Sequence, residues 1–431
     1  MKRPWIAVTF LVACTVVLAG QTKPAKPLEI YVVDPEGGKE ALWVTPAGQA
    51  ILIDTGSPGG RDTDRIMDVI NDLGIKKLDI LLSTHYHVDH VGGLQELLKR
   101  IPVDHFYDHG ETIEDGLNGH QKEQVPGFQA WYFPMVSKAP RTVLKPGDRI
   151  PVTGLDWRIV TSAGKVLKTP LPGAGKPNPL CAGAQRRTVT QDPEDGQSVG
   201  SVITYGKFRA LDFADMTWDI EYDLMCPNNP IGTVDMYFVS DHGINDNSTP
   251  EFVHAIRPRV AVMQNSARKG NAVDVLKVLR SSPGLEDIWQ LHWGNAAGAE
   301  WNSAGVYIAN GVDPTEVATA LTAPPRGGGA GRTGGAAPTA GGVGGAPDAA
   351  PGTAAPAPAA PPATATTQTP PPEAGRGQPV AQGATGAGRG GRGAPPHSPA
   401  YLIKISVQPD GTFTVTNTRN NFSKTYLARK P

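Results

Sequence analysis

The sequence predicts an α/β protein in which two facing mixed sheets carry helices on their outer sides. Three observations lead there. Apolar runs of strand length alternate with amphipathic helical stretches in both halves of the chain. Acidic and imidazole side chains recur where those runs end, at Asp54, at His85 to His90, at Asp215 and at Asp241-His242. Gly 51 and Pro 41 in 431 residues are far above normal usage, and much of the excess sits in one tract near the C-terminus. What remains is the length of one large domain with an ample core.

Taken in order, residues 28–33 read as a strand, Glu36-Gly37-Gly38 as a turn, and residues 41–44 as the return strand of a hairpin. Residues 50–53 form a third strand that runs into Asp54-Thr55-Gly56. Residues 62–73 are helical, because Ile66, Val69, Ile70 and Leu73 share a face and Gly74 stops the run. Residues 78–82 are a strand, and a helix opens after Gly92-Gly93 with Leu94, Leu97 and Leu98 on one side. Between 101 and 161 the pattern supports strands at 101–107, 130–134, 149–152 and 157–161. The stretch 164–195 is rich in Gly, Pro and basic residues; it reads as a solvated insertion, the alternative being a loop over the site that meets an anionic substrate. Strands follow at 198–205, 208–213, 234–239, 259–263 and 288–292, with a helix begun by Thr249-Pro250-Glu251 and another at 273–279.

The strongest chemical signal is Ser83-Thr84-His85-Tyr86-His87-Val88-Asp89-His90-Val91-Gly92-Gly93, at the end of a strand. A single loop histidine is usually a surface residue. Three imidazoles and an interposed carboxylate within six positions would repel on protonation and gain nothing, unless they hold a divalent cation. From an extended backbone His85 and His87 point the same way, while Asp89 and His90 begin the turn and face a second position. His292, beside Trp289 and Trp293, is read as a core histidine in an aromatic cluster rather than a site group.

Lys2-Arg3, an apolar run over residues 5–18 and Ala19-Gly20 have the layout of a cleaved export signal, residues 1–20. The run is shorter than the ~20 apolar residues of a spanning helix, so no membrane span is expected after cleavage and a periplasmic or secreted location follows. Leu11-Val12-Ala13-Cys14 also resembles a lipoprotein box, although the apolar residues beyond Cys14 argue against it. Cys181 and Cys226 are then an even pair in an oxidising compartment, either bridged or separately buried. The net charge of −1 gives no global pull toward nucleic acid. Residues 322–399 collapse to Ala, Gly, Pro and Thr and cannot offset the entropy of ordering. The arginines between Gly388 and Gly393 are read as part of a linker rather than a nucleic-acid site. Within 400–427 a hairpin returns, too small to stand alone, and is expected to dock on the main domain, residues 28–321.

Asp54-Thr55-Gly56, His85-Tyr86-His87-Val88-Asp89-His90, Asp215 and His242-Gly243, each at a strand end and in this order, resemble the metallo-β-lactamase fold family and its αββα sandwich. Val239-Ser240-Asp241-His242-Gly243 with Ser248-Thr249-Pro250-Glu251-Phe252 is similar to the hydrolase domain of ComEC-type DNA-uptake proteins. The resemblance implies His85 and His87 on a first metal and Asp89, His90 and His242 on a second, with Asp215 bridging them. Asp54 would then steady the metal loop from outside the ligand set. The family's third imidazole for the first metal has no counterpart; His105, His109 and His120 lack its motif. Asp241 stands where ComEC-type proteins pair two histidines, a carboxylate in place of an imidazole, and is expected, like Asp54, outside the ligand set.

A dinuclear site lowers the pKa of bound water toward ~7 and supplies a hydroxide nucleophile. Asp89 is the expected catalytic carboxylate, orienting that nucleophile. Zinc suits the donors, with manganese or iron as alternatives. An exported hydrolase of phosphodiesters or other phosphate esters is expected from the ComEC-type resemblance. A β-lactam or lactone hydrolase is the second reading, and a catalytically inactive metal-binding module of the envelope the third.

Overall fold

The computed structural model describes residues 26–111, 128–189, 193–311 and 400–429. All belong to one compact unit, Met1–Thr322 with Gly388–Pro431; the other, Ala323–Ala387, lies outside the described residues. So do the predicted export signal with Cys14, the tract 322–399 with its arginines, and His120. No helix among the described residues is long and apolar enough to cross a membrane.

Two large sheets face each other. The first runs, edge to edge, Phe422–Tyr426, Phe413–Asn417, Ile403–Val407, Leu28–Val32, Ala41–Val44, Ala50–Ile53, Ile80–Leu82, Phe106–Asp108 and Arg141–Val143. Its pairings are antiparallel as far as Ala50–Ile53 and parallel beyond. The second runs Ile308–Asn310, Asp287–His292, Val260–Met263, Met236–Phe238, Phe208–Asp212, Gly200–Tyr205, Asp156–Ser162 and Arg149–Ile150. Both sheets are mixed, as the sequence predicts.

Period-two alternation explains the layering. In Leu28–Val32, Leu28, Ile30 and Val32 enter the layer between the sheets, whereas Tyr31 faces the outer helices. Met236 and Phe238 likewise point inward and Tyr237 outward. Trp43 lies at the centre, 5.4 Å from Trp157 of the opposite sheet and 5.9 Å from Phe238 by ring centroids. Helices Arg61–Asp72 and Phe128–Val136 cover the first sheet; Trp218–Met225, Pro250–Ile256 and Val273–Ser281 cover the second.

Several local expectations need correction. Residues 130–134 fall in the helix Phe128–Val136, not a strand, despite an internal Pro134. The run Trp131-Tyr132-Phe133 has strand propensity, but fully buried Tyr132 packs on Tyr86 at 4.9 Å, and tertiary packing decides. The strand expected at 101–107 is reduced to Phe106–Asp108. His292 is buried, as expected of a core histidine, and its Nε2 lies 2.7 Å from the Asp34 carboxylate, joining the second sheet to the first half of the chain. The C-terminal segment supplies three strands rather than a hairpin, and Ile403–Val407 pairs directly with Leu28–Val32.

Cys181 and Cys226 are bonded, S–S 2.04 Å, tying the exposed stretch after residue 167 to the end of helix Trp218–Met225. Arg186 pairs there with Asp223 at 2.9 Å, and Arg187 lies over Trp218 at 4.7 Å. The bond spans 45 residues of sequence. Alanine at both cysteines is expected to cost ~2–4 kcal/mol, read as a lower denaturation midpoint; an unchanged midpoint would show the insertion held without it.

Candidate metal centre

The predicted residues converge at the carboxyl ends of strands from both sheets, where an open α/β sheet leaves loops free to build a site. Asp54 follows Ala50–Ile53, and His85 and His87 follow Ile80–Leu82. Asp89 and His90 sit in the helix Val88–Val91. Asp215 follows Phe208–Asp212, and His242 lies in the turn Ser240–Gly243 after Met236–Phe238. Close packing brings them together. A Cβ on Gly93 would stand 2.0 Å from the Thr55 carbonyl oxygen, and one on Gly38 2.2 Å from that of Asp89, so only glycine lets these segments approach.

Candidate donor atoms within 4.8 Å of one another form the sets His85, His87, Asp195, Asp215; Asp89, His90, His242; Asp215, Asp241, His242; and Asp195, Asp241, Asp246. Every predicted residue except Asp54 falls in one of them. Asp54 lies behind the cluster: it accepts from Thr84 N at 2.8 Å, from Thr84 Oγ1 at 2.6 Å and from His90 Nδ1 at 2.9 Å. Asp241, expected outside the ligand set, stands among the candidate donors instead.

The hydrogen bonds set the tautomers, and the tautomers test whether a cation fits. His242 Nδ1 donates to the Gln264 carbonyl at 2.9 Å, and His90 Nδ1 to Asp54. Both rings therefore turn Nε2 inward, 3.4 Å apart and 3.0 and 3.2 Å from Asp215 Oδ2. His85 Nδ1 lies 3.3 Å from Thr84 Oγ1, whose own hydrogen goes to Asp54; its buried Nε2 has no hydrogen-bond partner. The inward lone pairs of His85 and His242 beside buried carboxylates repel unless a positive charge joins them, so the donors present fit a divalent cation.

The electrostatics agree. Burial would raise Asp215, but His242 and His90 hold its carboxyl well below the ordinary range. Burial lowers His85, with help from His90 and His87, and lowers His242. Burial, then Asp215 and Asp195, raise Asp241. His90 is the exception: burial works against its charge, yet Asp215 and Asp54 outweigh burial and push it up to about 10.

A cation accepting His90 Nε2 must displace that proton at neutral pH, so uptake should strengthen as pH rises toward 10. The metal-free protein has the opposite slope. A raised folded pKa contributes stability fully present below the unfolded ~6.5 and lost as pH rises through about 10. Titrating metal into stripped protein in buffers of differing protonation enthalpy should show about one proton released near pH 7. Zero release would contradict this picture of His90.

Asp195, Asp246 and Lys269 escaped the sequence analysis. Asp195 lies with Glu194 in the stretch read as solvated, yet both are buried. The one available signal was an acidic pair just before the strand at 200–205. Lys269 donates to Asp89 Oδ2 at 2.6 Å from the rim, its side chain 39% exposed. With His90 and His242 it holds the Asp89 carboxyl low against burial. No local pattern marks a lysine 180 residues away in sequence.

Residues 36–165 match the family model described as the Metallo-beta-lactamase superfamily. Hydroxyacylglutathione hydrolase of Erwinia tasmaniensis is 33% identical over 87 residues, 20% of this chain and 26% of that protein. The match thus spans about a quarter of that curated relative. Among solved structures, the metallo-beta-lactamase fold protein YhfI of Bacillus subtilis aligns at 12% identity and a TM-score of 0.37, over 61% of this chain and 95% of that one. A metal-dependent hydrolase of the beta-lactamase superfamily aligns at 15% identity and 0.34, over 62% and 97%. The residues matched by that family model, 36–165, carry the first four predicted ligands, and the two mixed sheets with helices are consistent with the metallo-beta-lactamase fold.

Proposed function

We propose that the protein is an exported, metal-dependent hydrolase acting on phosphodiesters or related phosphate esters. The observation that carries the hydrolase reading is the convergence of His85, His87, Asp89 and His90 with Asp215 and His242, inward-facing nitrogens around buried carboxylates. His85, His87 and Asp215 would hold one cation, and Asp89, His90, His242 and Asp215 a second. Zinc suits this donor set, with manganese or iron as alternatives. When bound, such cations supply an activated water and polarise a phosphoryl or carbonyl oxygen. Asp89 accepts a hydrogen bond from the attacking water and orients it. Asp54, through Thr84 and His90, keeps the imidazole tautomers in place. Lys269, at the rim, holds Asp89 ionised and offers a positive charge where an anionic substrate arrives.

The phosphate substrate rests on the ComEC-type resemblance; the net charge of −1 does not point to nucleic acid. Export is supported by the N-terminal pattern and by the Cys181–Cys226 bond, which suits an oxidising compartment. Protein purified without chelator should contain metal and cleave a chromogenic phosphodiester, with loss on chelation and recovery on adding zinc or manganese. Phosphomonoester, lactone, β-lactam and thioester reporters complete the screen, the last because of the hydroxyacylglutathione hydrolase match. Turnover confined to a lactone or β-lactam would replace the phosphate reading. Bound metal with no turnover on any reporter would favour the inactive module.

A further inference from the structure

We propose that Asp195 is a further protein ligand of the cation held by His85, His87 and Asp215, a carboxylate taking the place for which the sequence offers no imidazole. The assignment rests on the metal-dependent reading above and goes beyond it by completing the first site. Asp195 Oδ1 lies 2.8 Å from His87 Nδ1 and 3.4 Å from His85 Nε2. His85, His87, Asp195 and Asp215 form one donor set within 4.8 Å. His85 Nε2 is fully buried with no hydrogen-bond partner, and the Thr84 contact at Nδ1 leaves the ring's lone pair on Nε2. A lone pair facing a carboxylate oxygen at that distance is repulsive with nothing between them, and favourable around a shared cation.

The approach is built into the backbone. Glu194 Oε1 accepts from Tyr86 N at 3.1 Å and from His109 Nε2 at 2.8 Å, with Glu194 and His109 side chains out of solvent. Val199 N donates to the Thr84 carbonyl at 2.9 Å. The segment from Glu194 to Val199 is thus fastened to the metal loop on both sides of His85, and Asp195 is carried in by its neighbour. Glu194 acts as a positioning residue. His109, lacking the family's motif, serves by fixing Glu194 rather than as a ligand. Two carboxylates and two imidazoles make this site richer in oxygen than one with three imidazoles, and so more tolerant of manganese or iron beside zinc.

The test titrates zinc, and separately manganese, into metal-stripped full-length protein, following heat and the absorption of a cobalt-substituted sample. Wild type should take two equivalents. Asp195→Asn, isosteric and uncharged, should weaken one of them at least about tenfold, change the cobalt spectrum and leave the other intact. Asp195→His should restore zinc more than manganese. Glu194→Gln should weaken the same equivalent and spare the other, a split that a merely structural loss would not produce. His242→Ala should remove the other equivalent, identifying which is which. Two equivalents at wild-type affinity in Asp195→Asn, with an unchanged cobalt spectrum, would overturn the assignment. No uptake by the wild type would sink the metal-dependent reading itself, and this assignment with it.

Discussion

Replacing Asp215 by alanine is expected to abolish metal-dependent turnover and to strip metal from both positions at once, whereas His87→Ala should empty only the first. The difference follows from geometry. Asp215 Oδ2 lies 3.0 Å from His242 Nε2 and 3.2 Å from His90 Nε2, and Asp215 also belongs to the set with His85 and His87. His87 belongs to that last set alone. Loss of an outer partner of a metal ligand already costs about 10–100-fold in affinity or activity, so loss of the shared ligand should exceed a hundredfold in kcat/KM. Elemental analysis beside turnover separates the effects: about two metals per chain in the wild type, about one in His87→Ala, and close to none in Asp215→Ala. The metal-free Asp215→Ala protein should also lose the main support for the His90 charge, leaving Asp54 alone against burial. Asp215→Ala protein with wild-type metal content and turnover would remove the basis for a shared centre.

The cluster from His85 to His90 was legible because its chemistry is compressed into one strand-to-helix turn, where side-chain direction follows from local backbone. Asp215 and His242 were legible through the family resemblance, which rests on each following an apolar strand in the expected order. Asp195 was not, since its direction depends on Glu194 reaching Tyr86 and His109 across 108 and 85 residues. The turn bearing His242 shows the same limit. Asp241, His242 and Gly243 all have positive φ, at 40°, 51° and 80°, a left-handed turn that only the observed backbone reveals. The C-terminal strands divide by the same logic. Ile403, Ile405, Val407, Phe413 and Val415 alternate into the layer between the sheets, and that periodicity reads directly. Phe422–Tyr426 is an edge strand whose first four residues are exposed or half-buried, so its apolar signal is weak.

Lys39→Met is expected to destabilise the fold by ~3–5 kcal/mol, because it leaves a buried carboxylate without its counter-charge. Lys39 Nζ lies 2.5 Å from Asp212 Oδ1, with side chains only 4% and 2% exposed. Ala214 N shares that oxygen at 3.1 Å, while Asp212 Oδ2 has no hydrogen-bond partner, so nothing else described offsets the charge. The pair also joins the two halves of the site. Lys39 lies in the turn before Ala41–Val44, where its N–H donates to the Asp89 carbonyl and its carbonyl accepts from Gly56 N, both at 3.1 Å. Asp212 ends a strand of the opposite sheet three residues before Asp215. Lys39 further opposes the burial that raises the Asp54 carboxyl, so its loss should push Asp54 higher and loosen the hold on Thr84 and His90. The single variant should therefore melt several degrees lower and bind metal more weakly. Lys39→Met with Asp212→Leu replaces the pair by apolar groups and should recover most of the stability, since such replacements are often neutral or better. A Lys39→Met protein that melts with the wild type would mean that the sheets do not depend on this contact.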